Sequence, residues 1–491
     1  MNIRVKTGRI GIRYGMVIWM IIILSTSGIK GFGQKVVSAG PIEKFYLRAP
    51  NVMPGTLPEM RDASYWISKM QNPDQVVLSL PQIQAMNSAF EKRVSNPAGL
   101  DTALNKLIAL KLEVSPGLFL SHPDLYVKTP EAVAAITREM VNKDVKYLRK
   151  GKYGNMLAIE LSAKELDEQE AEMNYAQIGK QVNIKPGITI ADVQLREIPS
   201  TSPEFSGLTD KNKTRWDLWN LDIVPIGSPV QILHVSKSGE YVFVLSENGY
   251  GWISTNRVAI GEKTQTEQFI QSAHFIICLA DKVPFYTDAS CKYASGYFRM
   301  GDRLPLAGTN PRIVSVPLRQ INGTLTIQQA WLAPKADVHI GYLPYTRKDV
   351  AVQSLKLLDN IYDWTGGWMG RNHATELRDI FACFGFKLPG YGELMSAFNS
   401  KIKWLYASET KEKHYRDILA NDPFTTLQIC STGHSQLYLG NYNSMPIVYD
   451  SHGYGYTDAN GREVEIRRSN VGTIEFPNYF LKQDIIFIYL K

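Results

Sequence analysis

The chain has 491 residues, of which 44% are hydrophobic, 21% charged and 11% aromatic, and this composition excludes a disordered or low-complexity protein. At about 150 residues per domain, the length predicts about three domains. Residues 1–33 contain five of the 54 lysines and arginines and none of the 47 acids, so the remainder has a net charge of only +2. We therefore exclude nucleic acid as a partner, because the body of the chain lacks a basic patch.

Residues 1–33 have the layout of a secretory signal peptide. Four basic residues precede the apolar run 16–24 (MVIWMIIIL), and small and polar residues follow it. That run is far shorter than the roughly 20 residues needed to span a bilayer, and no later segment is long and apolar enough. No cysteine directly follows the run to carry a lipid anchor. We predict an exported protein, periplasmic or extracellular, with no membrane span after cleavage near Gly33.

Four cysteines, an even number, occur in this chain: Cys278, Cys291, Cys383 and Cys430. They are far too few for a disulfide scaffold. Cys278 and Cys291 flank a predicted hairpin and could form a bridge, although small buried thiols fit the pattern equally well. Because no CxxC motif occurs, a thiolate zinc site is disfavoured, and we predict neither a metal nor a cofactor.

The N-terminal part of the mature chain, residues 34–185, has helical patterns. Apolar residues recur at spacings of three and four, as at Ile83, Met86 and Phe90. Frequent prolines divide this region into short helices. We therefore predict a helical segment that wraps around another part of the protein.

From residue 186 the apolar period changes to two, which is typical of strands. Turns at 237–239 and 248–249 divide residues 186–262 into short strands, and residues 266–346 show the same pattern of short strands and turns. We predict two small β-barrels in tandem. Residues 349–491 combine helices with a final group of strands, which predicts an α+β domain.

Four segments in this last domain resemble a known family when they are taken in order and after two barrels. They are 362–366 (YDWTG), 371–379 (RNHATELRD), 386–389 (FKLP) and 433–440 (GHSQLYLG). The chain resembles the NlpC-type exported cysteine endopeptidases, specifically the members with an N-terminal stabilising segment and two bacterial SH3-like barrels. The resemblance implies a multidomain α+β fold with a C-terminal papain-like domain. Such enzymes cut peptidoglycan stem peptides between D-glutamate and a diamino acid.

The resemblance places His373 where the family has its nucleophilic cysteine. A cysteine at a helix start is activated because the free N–H groups stabilise its thiolate and a nearby histidine accepts its proton. The family supplies this cysteine from an Asp-Cys-Ser triplet, and here the triplet reads Asn372-His373-Ala374. Neither Cys383, ten residues further along the helix, nor Cys430 beside the later strand can replace the lost thiol.

The remaining site residues follow from the same resemblance. His434 stands at the position of the base, and His452 at that of the residue that orients it, with Asp450 or Ser451 as alternatives. The predicted substrate-binding residues are Tyr362, Trp364, Asn372 and Ala374. Asn372 replaces the acid that in relatives meets the free amine of the stem peptide, so a change in ligand specificity is expected.

Three functions fit this pattern. The first is a pseudoenzyme that binds peptidoglycan stem peptides without cysteine-based cleavage. The second is an active hydrolase in which the imidazole of His373 attacks, or in which His373, His434 and His452 hold zinc. In the triad arrangement that the resemblance implies, these three rings lie along a line, which opposes their convergence on one zinc ion. The third is a scaffold whose SH3-like barrels bind other cell-envelope proteins.

Overall fold

The computed structural model describes residues 47–95, 128–150, 162–201, 217–399, 403–453, 455–476 and 479–491. The predicted signal peptide lies outside these residues. All described residues belong to one compact unit, Leu47–Lys491. Within them, no helix has the length and apolar character needed to cross a bilayer. The predicted mixed α and β architecture with small β domains is confirmed.

The described part of the N-terminal segment is mostly helical, but two of its helices, of 16 and 21 residues, are not the short helices that the proline spacing predicted. Its helices are α1 (Ala63–Ile67), α2 (Leu80–Ser95), α3 (Pro130–Lys150) and α4 (Ala163–Glu172), and its two short strands are β1 (Leu47–Arg48) and β2 (Val76–Leu78). Trp66 of α1 meets the ring of Phe424 edge-on at 6.0 Å, and Phe90 of α2 lies 5.3 Å from the ring of Phe398. These aromatic contacts pack α1 and α2 onto the C-terminal domain.

The first barrel is a seven-stranded sheet with the order β5-β4-β8-β7-β6-β3-β9. Its strands are β3 (Lys185–Thr189), β4 (Val193–Arg196), β5 (Asn220–Val224), β6 (Pro229–Val235), β7 (Tyr241–Ser246), β8 (Gly249–Ser254) and β9 (Val258–Ile260). The two predicted turns connect β6 to β7 and β7 to β8. Phe243 and Trp252 are fully buried and pack against each other, with 5.2 Å between ring centroids. Helix α5 (Lys263–Ile270) leads to the next domain.

The second barrel contains two small sheets, with the orders β13-β10-β16 and β12-β11-β15-β14. Its strands are β10 (Phe275–Cys278), β11 (Lys282–Tyr286), β12 (Ala294–Arg299), β13 (Arg303–Pro305), β14 (Ile313–Arg319), β15 (Leu325–Leu332) and β16 (Val338–Ile340). Strands β11 and β12 form a hairpin, but Cys291 lies in the turn that connects them, so Cys278 and Cys291 do not flank this hairpin as predicted. These two cysteines do not form the bridge that the sequence allowed, because all four cysteines are free thiols.

The C-terminal domain packs helices on a six-stranded antiparallel sheet with the order β18-β25-β19-β20-β21-β24. Its helices are α6 (Arg347–Leu355), α7 (His373–Ala382), α8 (Gly392–Met395) and α9 (Lys411–Leu419). Its strands are β17 (Tyr345–Thr346), β18 (Lys403–Leu405), β19 (Thr426–Cys430), β20 (Ser435–Tyr442), β21 (Met445–His452), β22 (Gly455–Thr457), β23 (Glu463–Glu465), β24 (Arg468–Thr473) and β25 (Ile485–Tyr489). Helix α7 buries Leu377, Ile380 and Phe381 in the main core. This packing fixes the start of α7 beside β20.

A buried ion network joins both barrels to helix α7. Arg378 of α7 lies 2.7 Å from Asp222 of the first barrel. Asp379 of α7 lies 2.7 Å from Arg371 and 3.7 Å from Arg299 of the second barrel. Burial raises the pKa of Asp379, but the three arginines outweigh it and lower that pKa below its ordinary value. The network therefore holds α7 at a defined position relative to both barrels.

Candidate active site

Helix α7 begins at His373 because Asn372 caps it. Oδ1 of Asn372 accepts hydrogen bonds from the backbone N–H groups of Ala374 and Thr375, both at 2.9 Å. Its Nδ2 donates to the backbone carbonyl of Trp364 at 2.7 Å. Asn372 thus uses its side chain to start the helix. Ala374 is buried in the core at 1% exposure and lines neither cavity beside His373, so its predicted contact with substrate gains no support from this geometry.

The segment before α7 folds around the carboxylate of Asp363. Oδ2 of Asp363 accepts hydrogen bonds from the backbone N–H groups of Trp368 at 2.7 Å and Gly370 at 3.0 Å. A Cβ at Gly370 would lie 2.6 Å from the Cβ of Asp363, so this close approach requires glycine. The folded loop places Tyr362 and Trp364 along the cavity beside His373.

The imidazole of His373 is bound to the next strand through Ser435. Nδ1 of His373 lies 3.3 Å from the backbone nitrogen of Ser435 and 2.9 Å from its Oγ. Because a backbone N–H can only donate, Nδ1 is the acceptor, and the neutral ring carries its proton on Nε2. Ser435 lies in the segment 433–440 that carries the resemblance, but no role was predicted for it from the sequence.

The residue predicted as the base, His434, is held by Asp450. Gly433 has a φ of +84° in the turn that precedes it, a conformation that glycine adopts without strain. Nε2 of His434 lies 2.7 Å from Oδ1 of Asp450, and Gln436 donates to Oδ2 of the same carboxylate at 3.0 Å. Burial raises the pKa of Asp450, but His434 and His452 outweigh it and lower that pKa. Asp450, one of the alternatives considered from the sequence, is therefore ionised where it contacts His434.

The three histidines predicted from the sequence come together. The ring of His434 lies 4.4 Å from that of His373 and 4.7 Å from that of His452. His452 and Asp450 are both fully buried. Nitrogen and oxygen atoms of His434, Asp450 and His452 all lie within 4.8 Å of one another. In the part of the chain that the structure describes, no other group of three or more His, Cys, Asp or Glu side chains meets this spacing.

All three histidines line one cavity of about 350 Å³. Its lining residues are Tyr362, Trp364, His373, Thr432, His434, His452, Gly453, Tyr479 and Gln483. A smaller cavity of about 80 Å³ shares Trp364, His373 and Thr432 with it, so the two cavities adjoin and together form the cleft beside His373. The first barrel contributes Asn220 and Leu221 to the smaller cavity. Sequence reasoning missed these two residues together with Thr432, Tyr479 and Gln483.

A comparison with known proteins identifies both parts of this architecture. The family model described as SH3 domain (SH3b1 type) matches residues 203–254. The structure is similar to a solved NlpC/P60 endopeptidase from Photobacterium damselae subsp. piscicida, with a TM-score of 0.67 and 15% identity over 91% of this chain and 99% of that chain. The chain has the NlpC/P60 endopeptidase fold.

Two further solved structures align with about three fifths of this chain. An NlpC/P60 family protein from Bacillus cereus has 17% identity and a TM-score of 0.42, over 62% of this chain and 100% of that chain. NlpC1 from Trichomonas vaginalis has 10% identity and a TM-score of 0.21, over 60% of this chain and 93% of that chain. No curated protein matches the sequence.

In this NlpC/P60 fold, no thiol lies at the start of α7. Cys383 is the residue that ends the helix, and burial raises its pKa to about 12. Cys430 is buried, and its pKa is also raised by burial. Cys278 lies in β10 and is buried, while Cys291 follows β11 in the second barrel. None of the four cysteines therefore lies in the first turn of α7, which begins at His373.

Proposed function

We propose that this chain is an exported cell-wall protein that binds peptidoglycan stem peptides in the cleft beside His373 without cysteine-based cleavage. The NlpC/P60 fold together with an SH3b domain supports a peptidoglycan-related role. The observation that carries the proposal is the contact of His373 with Ser435 at the helix start, where a catalytic thiol is expected from the resemblance.

The hydrogen bonding of His373 disfavours the imidazole as a replacement nucleophile. Attack on a carbonyl requires a nitrogen lone pair directed at the substrate. The Nδ1 lone pair of His373 accepts from Ser435, and the proton of the neutral ring is then on Nε2. Neither nitrogen offers a lone pair to a bound peptide in this tautomer. The covalent route that cysteine peptidases use therefore has no nucleophile here.

The cleft nevertheless keeps the features of a peptide-binding site. The larger cavity, at about 350 Å³, lies within the usual size range of ligand pockets. Aromatic side chains line both cavities, including Tyr362, Trp364 and Tyr391. Glu393 adds a carboxylate to the smaller cavity, which suits the ammonium group of a short peptide. Binding can therefore persist after the loss of the nucleophile.

Calorimetry with a defined stem peptide of L-alanine, D-glutamate and a diamino acid tests this proposal. Trp364 lines both cavities, so we expect Trp364→Ala to weaken binding at least about tenfold. Trp368 is in the same loop, is 66% exposed and lines neither cavity, so Trp368→Ala is the matched control. No heat of binding with the parent protein, or an equal effect of the two substitutions, would contradict the proposal.

A further inference from the structure

We infer that His434, Asp450 and His452 form a binding site for a divalent transition metal ion, with Zn²⁺ as the best match to these donors. The inference goes beyond the proposed peptide binding and does not depend on it. It differs from the three-histidine site weighed from the sequence, because Asp450 replaces His373 as the third ligand.

The donor atoms already converge. One pair, Nε2 of His434 and Oδ1 of Asp450, is 2.7 Å apart, and all three donor atoms lie within 4.8 Å of one another. Ligand atoms around a tetrahedral zinc ion are about 3.3 Å apart, given metal–ligand bonds of about 2.0–2.2 Å. Binding of the ion therefore requires the widest donor separation, at most 4.8 Å, to shorten towards about 3.3 Å. His373 lies outside this converging group, because its Nδ1 atom is bound to Ser435.

The chemistry of the set also suits zinc. Two neutral imidazoles and one carboxylate are the ligands of several catalytic zinc sites, and they leave a coordination position for water or a ligand carboxylate. His434 and His452 both line the cavity of about 350 Å³, so an incoming group can reach the ion. Binding through Nε2 of His434 requires that the proton of the neutral ring move to Nδ1 and that the ion replace the hydrogen bond between Nε2 and Asp450.

A surrounding polar group holds the carboxylate in place. Gln436 on β20 donates to Oδ2 of Asp450 at 3.0 Å, which leaves Oδ1 directed at His434. Such outer contacts orient metal ligands, and their loss typically lowers metal affinity by about 10–100-fold. Gln436 is therefore a positioning residue for the proposed ion.

Zinc titration of untagged, metal-free full-length protein by calorimetry tests the inference without any peptide present. We expect one Zn²⁺ per chain and no heat with Mg²⁺, which prefers oxygen ligands. Asp450→Asn keeps the shape of the side chain, so we expect it to preserve the fold while it lowers zinc affinity by at least about 100-fold. Gln436→Ala gives an intermediate loss, and His274→Ala, at an exposed histidine of the second barrel, gives none.

The absorption spectrum of the cobalt-substituted protein gives a second readout that does not depend on affinity. A mixed nitrogen and oxygen site is expected to show visible bands that Asp450→Asn removes. Circular dichroism of each variant verifies that it is folded. The absence of stoichiometric zinc, an unchanged affinity in folded Asp450→Asn, or an equal loss in His373→Ala would overturn the assigned donor set. None of these results bears on peptide binding, which calorimetry with the stem peptide measures separately.

Discussion

The backbone nitrogen of Ser435 lies 3.3 Å from Nδ1 of His373, so the strand that follows His434 also holds the first residue of α7. In the arrangement that the resemblance implies, His373 stands at the nucleophile position and His434, next to Ser435, at the position of the base. The contact therefore ties the expected nucleophile position to the strand beside the expected base. The consequences can be tested at several residues.

Replacing His373 with cysteine is expected to create a reactive thiol. The positive end of the α7 helix dipole and the ring of His434, 4.4 Å from that of His373, favour a thiolate at this position. We expect the thiol of His373→Cys to be alkylated by iodoacetamide at about pH 6, where an ordinary thiol with a pKa of about 8.5 reacts slowly. Peptide mass mapping locates the label. Labelling no faster than that of the buried cysteines would show that this helix start does not activate a thiol.

The native cysteines are expected to differ in reactivity according to burial. Cys278, Cys383 and Cys430 are buried, and burial raises the pKa of each thiol, that of Cys383 to about 12. Cys291 is half-buried. Alkylation of the folded protein at neutral pH should therefore label Cys291 alone, and unfolding in guanidinium should expose all four. Fast labelling of Cys383 or Cys430 in the folded protein would contradict the assignment of both as inert.

Glu376 is expected to make stability depend on pH. Burial raises the pKa of this carboxyl from 4.5 to about 7, although hydrogen bonds from Ser469 and Tyr449 and the charge of Arg371 partly oppose that shift. The unfolded chain releases the proton of Glu376 near pH 4.5, whereas the folded chain keeps it until about pH 7. The contribution of Glu376 to the free energy of unfolding is thus fully present below pH 4.5 and is lost as pH rises towards 7.

Glu376→Gln isolates this contribution, because the amide does not titrate. We expect the variant to gain up to about 3 kcal/mol relative to the parent protein between pH 4.5 and 7. Denaturant unfolding at a series of pH values measures the difference. A difference that stays constant across this range would mean that Glu376 is already ionised in the folded protein.

Asp379 is expected to be the most sensitive member of the ion network between α7 and the barrels. Its carboxylate is 2.7 Å from Arg371 and 3.1 Å from Arg378, and both arginines are mostly buried. Asp379→Asn removes the carboxylate that these two guanidinium groups share, while Arg378 keeps Asp222 and Arg371 keeps Asp281. Breaking a buried ion pair costs about 3–5 kcal/mol, and we expect a loss of stability up to that size. The exposed pair Lys164–Glu168 supplies the control, since Glu168→Gln should leave the unfolding midpoint unchanged. Equal midpoints for the two variants would contradict a structural role for the network.

The helices, strands and turns of this fold could be predicted from the sequence because the patterns that indicate them are local. The turns at 237–239 and 248–249 follow from glycine and asparagine chemistry, and the helices from apolar spacing. The histidines of the site were predicted from motifs in the C-terminal domain. His373, His434 and His452 line one cavity, although their roles in binding or catalysis stay predictions.

The contacts that define the site could not be predicted, because they join residues that are distant in the sequence. Ser435 reaches His373 across 62 positions. Asn220 and Leu221 line the cleft from the first barrel. Asp450, Ser451 and His452 are consecutive, and each was a candidate for the residue that orients His434. Only the register of β20 against β21 brings the carboxylate of Asp450 to His434. Periodicity and motif spacing contain no information about such pairings.

Binding and cleavage of the stem peptide are distinguished by incubating the protein with it and following the peptide by mass spectrometry and calorimetry in parallel. The experiment is done with metal-free and zinc-loaded protein. We expect saturable binding with the peptide intact in both samples. Cleavage of the bond between D-glutamate and the diamino acid by either sample, or an absence of binding in both, would rule out peptide binding without cleavage.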